Sequence, residues 1–254
     1  GETALLYACK NKNVELVQLL VDNNADVNAE TKLGNTPLIY SCYEDYFSKS
    51  IVKILLDNGA NIYKQNFQGR TALMMASEGY GIDITVIYLL IKHGADVNFV
   101  NGKGYTPLMY ICLMNCEEDK IVELFLQKGA NVNLQNCNGD TALMIACRNM
   151  HSKIVKLLLD RGADVSIRNY YGENALIAAC QNGETQVATF CQTNQNTDII
   201  SCLLKKNPRC INVQDKRGNT ALIIASEKGY FDTVQLLLKY KANINVMNND
   251  GNTP

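Results

Sequence analysis

A phrase of the form Gly-x-Thr-x-Leu returns along the whole chain at a near-fixed interval. It reads Gly1-Glu2-Thr3-Ala4-Leu5 at the start and recurs from Gly34, Gly69, Gly104 and Gly139. Gly172 follows with Asn174 in the Thr place, then Gly218, and Gly251 opens an eighth copy that reaches Pro254. The spacings are 33, 35, 35, 35, 33, 46 and 33 residues. A second phrase, Leu-Leu-x-x-Gly-Ala-Asn/Asp-Val-Asn, answers the first; it is clearest at 55–62, 89–98, 125–133 and 158–166. Self-similarity at this period means one supersecondary unit, stacked on copies of itself.

The chemistry of the unit can be read directly. Thr36-Pro37 and Thr106-Pro107 form a helix start: a Thr cap, then Pro where its missing N–H costs nothing. Other units place Ala after the Thr, also a good helix former. A short apolar helix follows, such as Leu143-Met144-Ile145-Ala146-Cys147, then a polar turn around Arg148–Ser152. A second helix carries Ile154, Val155, Leu157, Leu158 and Leu159 and stops at Gly162, which suits the left-handed C′ conformation. Turn residues over 165–171 lead into the next Gly. Each unit is therefore helix, turn, helix, then a finger-like loop.

This order of phrases resembles the ankyrin-repeat family over essentially all 254 residues. The resemblance implies an all-α, ankyrin-repeat solenoid of stacked helix-turn-helix units with β-hairpin-like finger loops. Residues 1–254 read as a single domain, with repeats starting near 1, 34, 69, 104, 139, 172 and 218 and a truncated one at 251. Two departures stand out. The family His after Thr-Pro-Leu is replaced by Leu6, Ile39, Met74, Met109, Met144, Ile177 and Ile223, so greater apolar burial must compensate. The Asp three before each Gly is mostly Asn (Asn66, Asn101, Asn136, Asn169, Asn248) and is kept as Asp215. Asn can close the same Asx turn without charge.

The period is broken in places. Units two, three and four each carry two extra residues between their helices, around Asp45–Lys49, Tyr80–Ile84 and Met114–Glu118. Unit six is longer by 13 residues, an insertion near 184–196 in which Val187 and Phe190 are the candidate contacting residues. Pro208 stands where other units place the C′ Gly, so that helix must end differently. Leu16, Val17, Leu19 and Leu20 in the first unit, and Leu236, Leu237 and Leu238 in the last, read like internal units. The native chain is therefore expected to continue past both ends.

Composition excludes several classes. The formal net charge is −1, and no Lys/Arg run marks a nucleic-acid stripe. No apolar run reaches the roughly 18 residues of a spanning helix, so no membrane insertion is expected. Of ten cysteines, Cys9, Cys42, Cys112, Cys147 and Cys180 share one repeat position, held by Ser77 and Ser226 in two other units. That slot takes small buried side chains, and the usage fits a reducing, cytoplasmic setting, the nucleus or a host cytosol included. No Cys-x-x-Cys exists and there are two His, so no metal site is read. Gly102-Lys103-Gly104 lacks the Walker spacing, and residues 136–140 lack the acidic ligands of a calcium loop. No catalytic constellation, cofactor or small-molecule substrate is expected.

What remains is a binding face. In the family, the fingers and the exposed side of the first helices bind other proteins. Carried onto this chain, that implies a protein partner held by Leu33, Tyr43, Phe67, Arg70, Tyr105, Leu113, Met114, Arg148, Tyr170 and Tyr171. Aromatic and Arg side chains are the usual hot spots, and finger-tip aromatics have no core of their own. The expected role is a scaffold or adaptor. The alternative is a targeting or regulatory arm of a larger protein, such as a ubiquitin-ligase subunit or a pathogen effector.

Overall fold

The computed structural model describes residues 2–43, 48–78, 83–114, 119–181 and 193–254, with backbone alone for 193–195. Most of the added residues between helices, Val187 and Phe190 included, lie outside the described residues. Among the described residues there are fourteen α-helices and no strand. They gather in two compact units, Gly1–Ala130 and Asn131–Pro254.

The first unit holds four short first helices: α1 (Ala4–Lys10), α3 (Pro37–Ser41), α5 (Ala72–Ala76) and α7 (Pro107–Leu113). Their partners are the second helices α2 (Val14–Asp22), α4 (Lys49–Asp57), α6 (Ile84–Lys92) and α8 (Asp119–Gln127). The second unit pairs α9 (Ala142–Arg148) with α10 (Ser152–Asp160), α11 (Ala175–Gln181) with α12 (Thr193–Lys206), and α13 (Ala221–Glu227) with α14 (Phe231–Lys239). Inside each unit, first helices pack on neighbouring first helices and second on second, giving two layers with the core between them.

Capping follows the sequence closely. The Oγ1 of Thr36, Thr71, Thr106, Thr141 and Thr220 accepts the N–H three residues on, at 3.2–3.3 Å, and Asn174 Oδ1 does the same for Ile177 at 2.9 Å. The residues standing for the family His are all buried, from Leu6 at 0% to Ile223 at 4% exposure. All the second helices but α12 close by the same device. Gly59, Gly94, Gly129 and Gly162 take positive φ, and the next Ala N–H returns to a carbonyl one turn back, as Ala60 does to Leu55 at 2.9 Å. Asn24 and Lys241 also adopt positive φ, at 63° and 65°. At Pro208 the sequence-based expectation holds: Asn207 leaves the helix in extended geometry and a 3₁₀ turn, Pro208–Asn212, follows. Helix α12 has 14 residues, against 9 in the other second helices, and so absorbs the end of the expected insertion.

The shared small-residue slot is buried at Cys9, Cys42, Cys112, Cys147 and Cys180, and all are free thiols. Burial pushes Cys9 up to about 11 and Cys180 up to about 12, so little thiolate exists at neutral pH.

Successive repeats are also stitched by asparagine. Asn28 Nδ2 donates to the Gly59 carbonyl at 3.2 Å, and its Oδ1 accepts the Asn61 N–H at 2.7 Å. Asn133 does the same with Gly162 and Asp164, at 3.2 and 2.9 Å. Asn98 reaches Gly129 at 3.0 Å, and Asn212 receives the Asn243 N–H at 2.9 Å. Tyr63 and Ser166 occupy the same place in repeats two and five and make no such bridge. Tyr63→Asn should therefore add a bridge to the Gly94–Asp96 segment and raise stability by about 0.5–1.5 kcal/mol. A urea midpoint that stays put or falls would contradict this.

Candidate protein-binding surface

Each finger is built around one Asx turn. Asn66 Oδ1 accepts the N–H of Gln68 and of Arg70, both at 3.0 Å. Asn101, Asn136, Asn169, Asp215 and Asn248 repeat this pair of bonds at 2.8–3.0 Å, and Thr31 Oγ1 makes it in the earliest described finger. The freed amide nitrogen then reaches back: Asn66 to Asn35 Oδ1 at 2.9 Å, Asn169 to Asp140 Oδ1 at 2.9 Å, Asn248 to Asn219 Oδ1 at 2.8 Å. Arg70 offers no acceptor, so Asn101 turns to the Tyr110 hydroxyl instead, at 2.9 Å.

Neighbouring fingers are joined through their backbones. Phe67 N–H donates to the Leu33 carbonyl at 3.0 Å, Tyr170 to Asn138 at 2.8 Å, Lys216 to Tyr171 at 2.8 Å and Asn249 to Arg217 at 2.9 Å. The approach is close enough to demand glycine at the repeat Gly. A Cβ on Gly139 would sit 2.8 Å from Tyr170 N, and one on Gly218 would sit 2.8 Å from Asn249 N.

With the backbone used this way, the tip side chains are left outward. Phe67 is 77% exposed, Leu33 66%, Tyr170 63% and Tyr171 58%. Tyr43 and Leu113, at the ends of their first helices, are exposed at 42% and 37%. Tyr105 is half-buried, its ring 5.6 Å from that of Tyr110, and Met114 is half-buried.

The two arginines expected at the surface are engaged within the chain. Arg70 pairs with Glu78 and lies 5.5 Å over the Tyr110 ring. Arg148 bonds Asp140 at 3.1 and 3.2 Å and Glu173 at 3.3 Å, and Gln181 also donates to Glu173. Burial alone would lower Arg148, but its two carboxylate partners win and hold it raised. These pairs share a geometry: the residue after the repeat Gly faces the one eight positions on. Glu173–Gln181 is a third example, and Glu2–Lys10, at 2.6 Å, a fourth. In repeats two and four the same two places hold Asn35 with Tyr43 and Tyr105 with Leu113.

Two clefts lie between fingers and first helices. In the first unit, Asn35, Ile39, Tyr40, Tyr43, Gln68, Arg70 and Met75 are among the residues that line about 370 Å³. In the second unit, Tyr171, Glu173, Gln181, Asp215, Asn219 and Ile224 are among those around about 320 Å³. Tyr40 and Tyr110 are the residues that sequence reasoning missed. Both stand six after a repeat Gly, as Tyr7 does, and that recurrence was the available signal. Among the described residues no group of His, Cys, Asp and Glu is placed to hold a metal.

A family profile described as ankyrin repeats, in three copies, matches residues 1–66, 48–136, 113–191 and 184–248. The chain belongs to the ankyrin-repeat family. A putative ankyrin repeat protein of Acanthamoeba polyphaga mimivirus is 37% identical over 71 residues, 27% of this chain and 16% of that protein. Ankyrin repeat domain-containing protein 63 of Homo sapiens is 38% identical over 52 residues, 20% of this chain and 14% of its own length. The mouse protein of that name is equally similar over the same share of this chain. Each match thus spans well under two thirds of the relative. Ankyrin repeats are generally protein-interaction modules and typically non-catalytic. No helix among the described residues is long and apolar enough to cross a membrane.

Proposed function

We propose that these ankyrin repeats bind a protein partner through the finger tips and first-helix ends, as a scaffold or adaptor. The supporting observation is the outward display of Leu33, Phe67, Tyr170 and Tyr171 on a backbone-linked frame. Such side chains are pre-positioned, so little ordering is needed on binding. Leu33, Tyr43, Phe67 and Leu113 form the contact set of the first unit, with Tyr105 and Met114 as half-buried support. Tyr170 and Tyr171 serve in the second. Arg70 and Arg148 act by fixing the fingers. All eight described cysteines are free thiols, which agrees with a reducing compartment such as the cytoplasm.

The test is a crosslinking pull-down from source-cell lysate with the parent protein and with Leu33→Ala/Phe67→Ala/Tyr170→Ala. A partner retained by the parent should be lost from the variant, because hot-spot truncations cost about 2 kcal/mol or more each. These side chains are outside the core, so the variant should melt with the parent. Equal capture by both proteins would end this reading. A targeting or regulatory arm of a larger protein is the second reading.

A further inference from the structure

The second helices of repeats six and seven end in a group of cations. Lys205, Lys206, Arg209, Lys239 and Lys241 are all exposed there, and none is in an ion pair among the described residues. They lie on one edge. Helix α12 packs on α14, and Ser201 Oγ is 3.5 Å from Tyr240 Oη, so the segment bearing Lys239 and Lys241 runs beside the last turns of α12. The bond from Asn243 N–H to Asn212 Oδ1, at 2.9 Å, ties the 3₁₀ turn bearing Arg209 to the same edge. The acidic residues of these helices, Asp198 and Asp232, are seven positions earlier, about 10 Å away along the axis.

Helix capping does not account for this. A cation in the last turn favours the helix dipole by about 0.3–1 kcal/mol, and α6 ends on Lys92, but α2, α4 and α10 end on Asp22, Asp57 and Asp160 and α8 on Gln127. Stacking therefore makes no demand for positive charge at this place. Five like charges on one edge repel one another, and an anionic ligand would relieve that repulsion.

We propose that this edge of repeats six and seven is a second binding surface, which takes a carboxylate-rich segment of a partner protein. A protein segment suits it better than a polyanion. Tyr240, the aromatic ring at the edge, is half-buried against Ser201 and offers no stacking platform for unpaired bases. Residues 1–130 carry fifteen Asp and Glu against eleven Lys and Arg, and residues 131–254 carry ten against thirteen. A long polyanion would be favoured by one half and repelled by the other. A short acidic segment needs the basic edge alone. This surface is separate from the finger tips and does not depend on them.

The experiment is fluorescence anisotropy of the full-length protein with a labelled peptide of about twelve residues, Glu alternating with Ser, beside its Gln–Ser counterpart. The Glu peptide should bind at least about tenfold more tightly, and binding should weaken as salt rises. The variant carrying Lys205→Glu, Lys206→Glu, Arg209→Glu, Lys239→Glu and Lys241→Glu should lose the peptide. Lys153→Glu/Lys156→Glu on α10 should retain it, with circular dichroism confirming that both variants are folded. Equal binding by the five-site variant would overturn the proposal. So would tighter binding of a single-stranded oligothymidylate of like length, or of phosphatidylserine vesicles, which would assign the edge to nucleic acid or membrane.

Discussion

Phe125→Ala is expected to lower folding stability by about 3–5 kcal/mol. Phe125 is the largest of the fully buried side chains among the described residues, at 0% exposure in the last turn of α8. Its row is held by Leu55 in α4 and Leu90 in α6, also at 0%, so it fills the interface between second helices and their own first helices. Truncation removes the burial free energy of the ring. It also leaves a void that neighbours fixed by both ladders cannot collapse to fill. The measurement is a urea titration beside Phe231→Ala, whose ring is 76% exposed and which should change stability by about 0.5 kcal/mol or less. Similar losses at both positions would mean that α8 is not packed as described.

The second large effect separates two reasons for glycine. Gly139→Ala should destabilise by roughly 3 kcal/mol, and Gly59→Ala by about 1–2 kcal/mol. Both residues have positive φ, +78° and +83°, so both variants carry the strain of a left-handed alanine. They differ in surroundings. At Gly59 an added methyl meets nothing within 4 Å, whereas at Gly139 it falls 2.8 Å from Tyr170 N and 2.9 Å from Asn169 Cα. Those neighbours are backbone and cannot swing aside. Relief requires that Tyr170 give up its bond to the Asn138 carbonyl, worth about 0.5–1.5 kcal/mol. Equal losses in the two variants would show that the close approach of fingers contributes nothing.

Much of this was legible in the sequence because it depends on local chemistry. Thr caps, the glycine-ended second helices and the Asn-for-Asp turns are set by residues within four positions of one another. A period of about 33 residues then says what packs on what. The contact set was less legible. Arg70 and Arg148 match the hot-spot type, yet each faces a carboxylate eight positions away, across the gap between a finger and its helix. Nothing in a one-dimensional pattern brings those two places together. The role of Tyr110 was hidden for the same reason, since Asn101 and Tyr105 meet it from one finger and Arg70 from the finger before. The basic edge escaped notice because its lysines are two short groups in sequence, some thirty residues apart, and form one patch after stacking.

The bonds that join one finger to the next run from backbone N–H groups to backbone carbonyls. They are indifferent to which side groups Leu33, Phe67, Tyr170 and Tyr171 carry, provided that proline does not take the donor away at Phe67, Tyr170, Lys216 or Asn249. The frame and the display are thus under separate control. A lineage, or a designer, can rewrite what the fingers recognise one residue at a time, with no repair needed to the joints that keep the repeats in line.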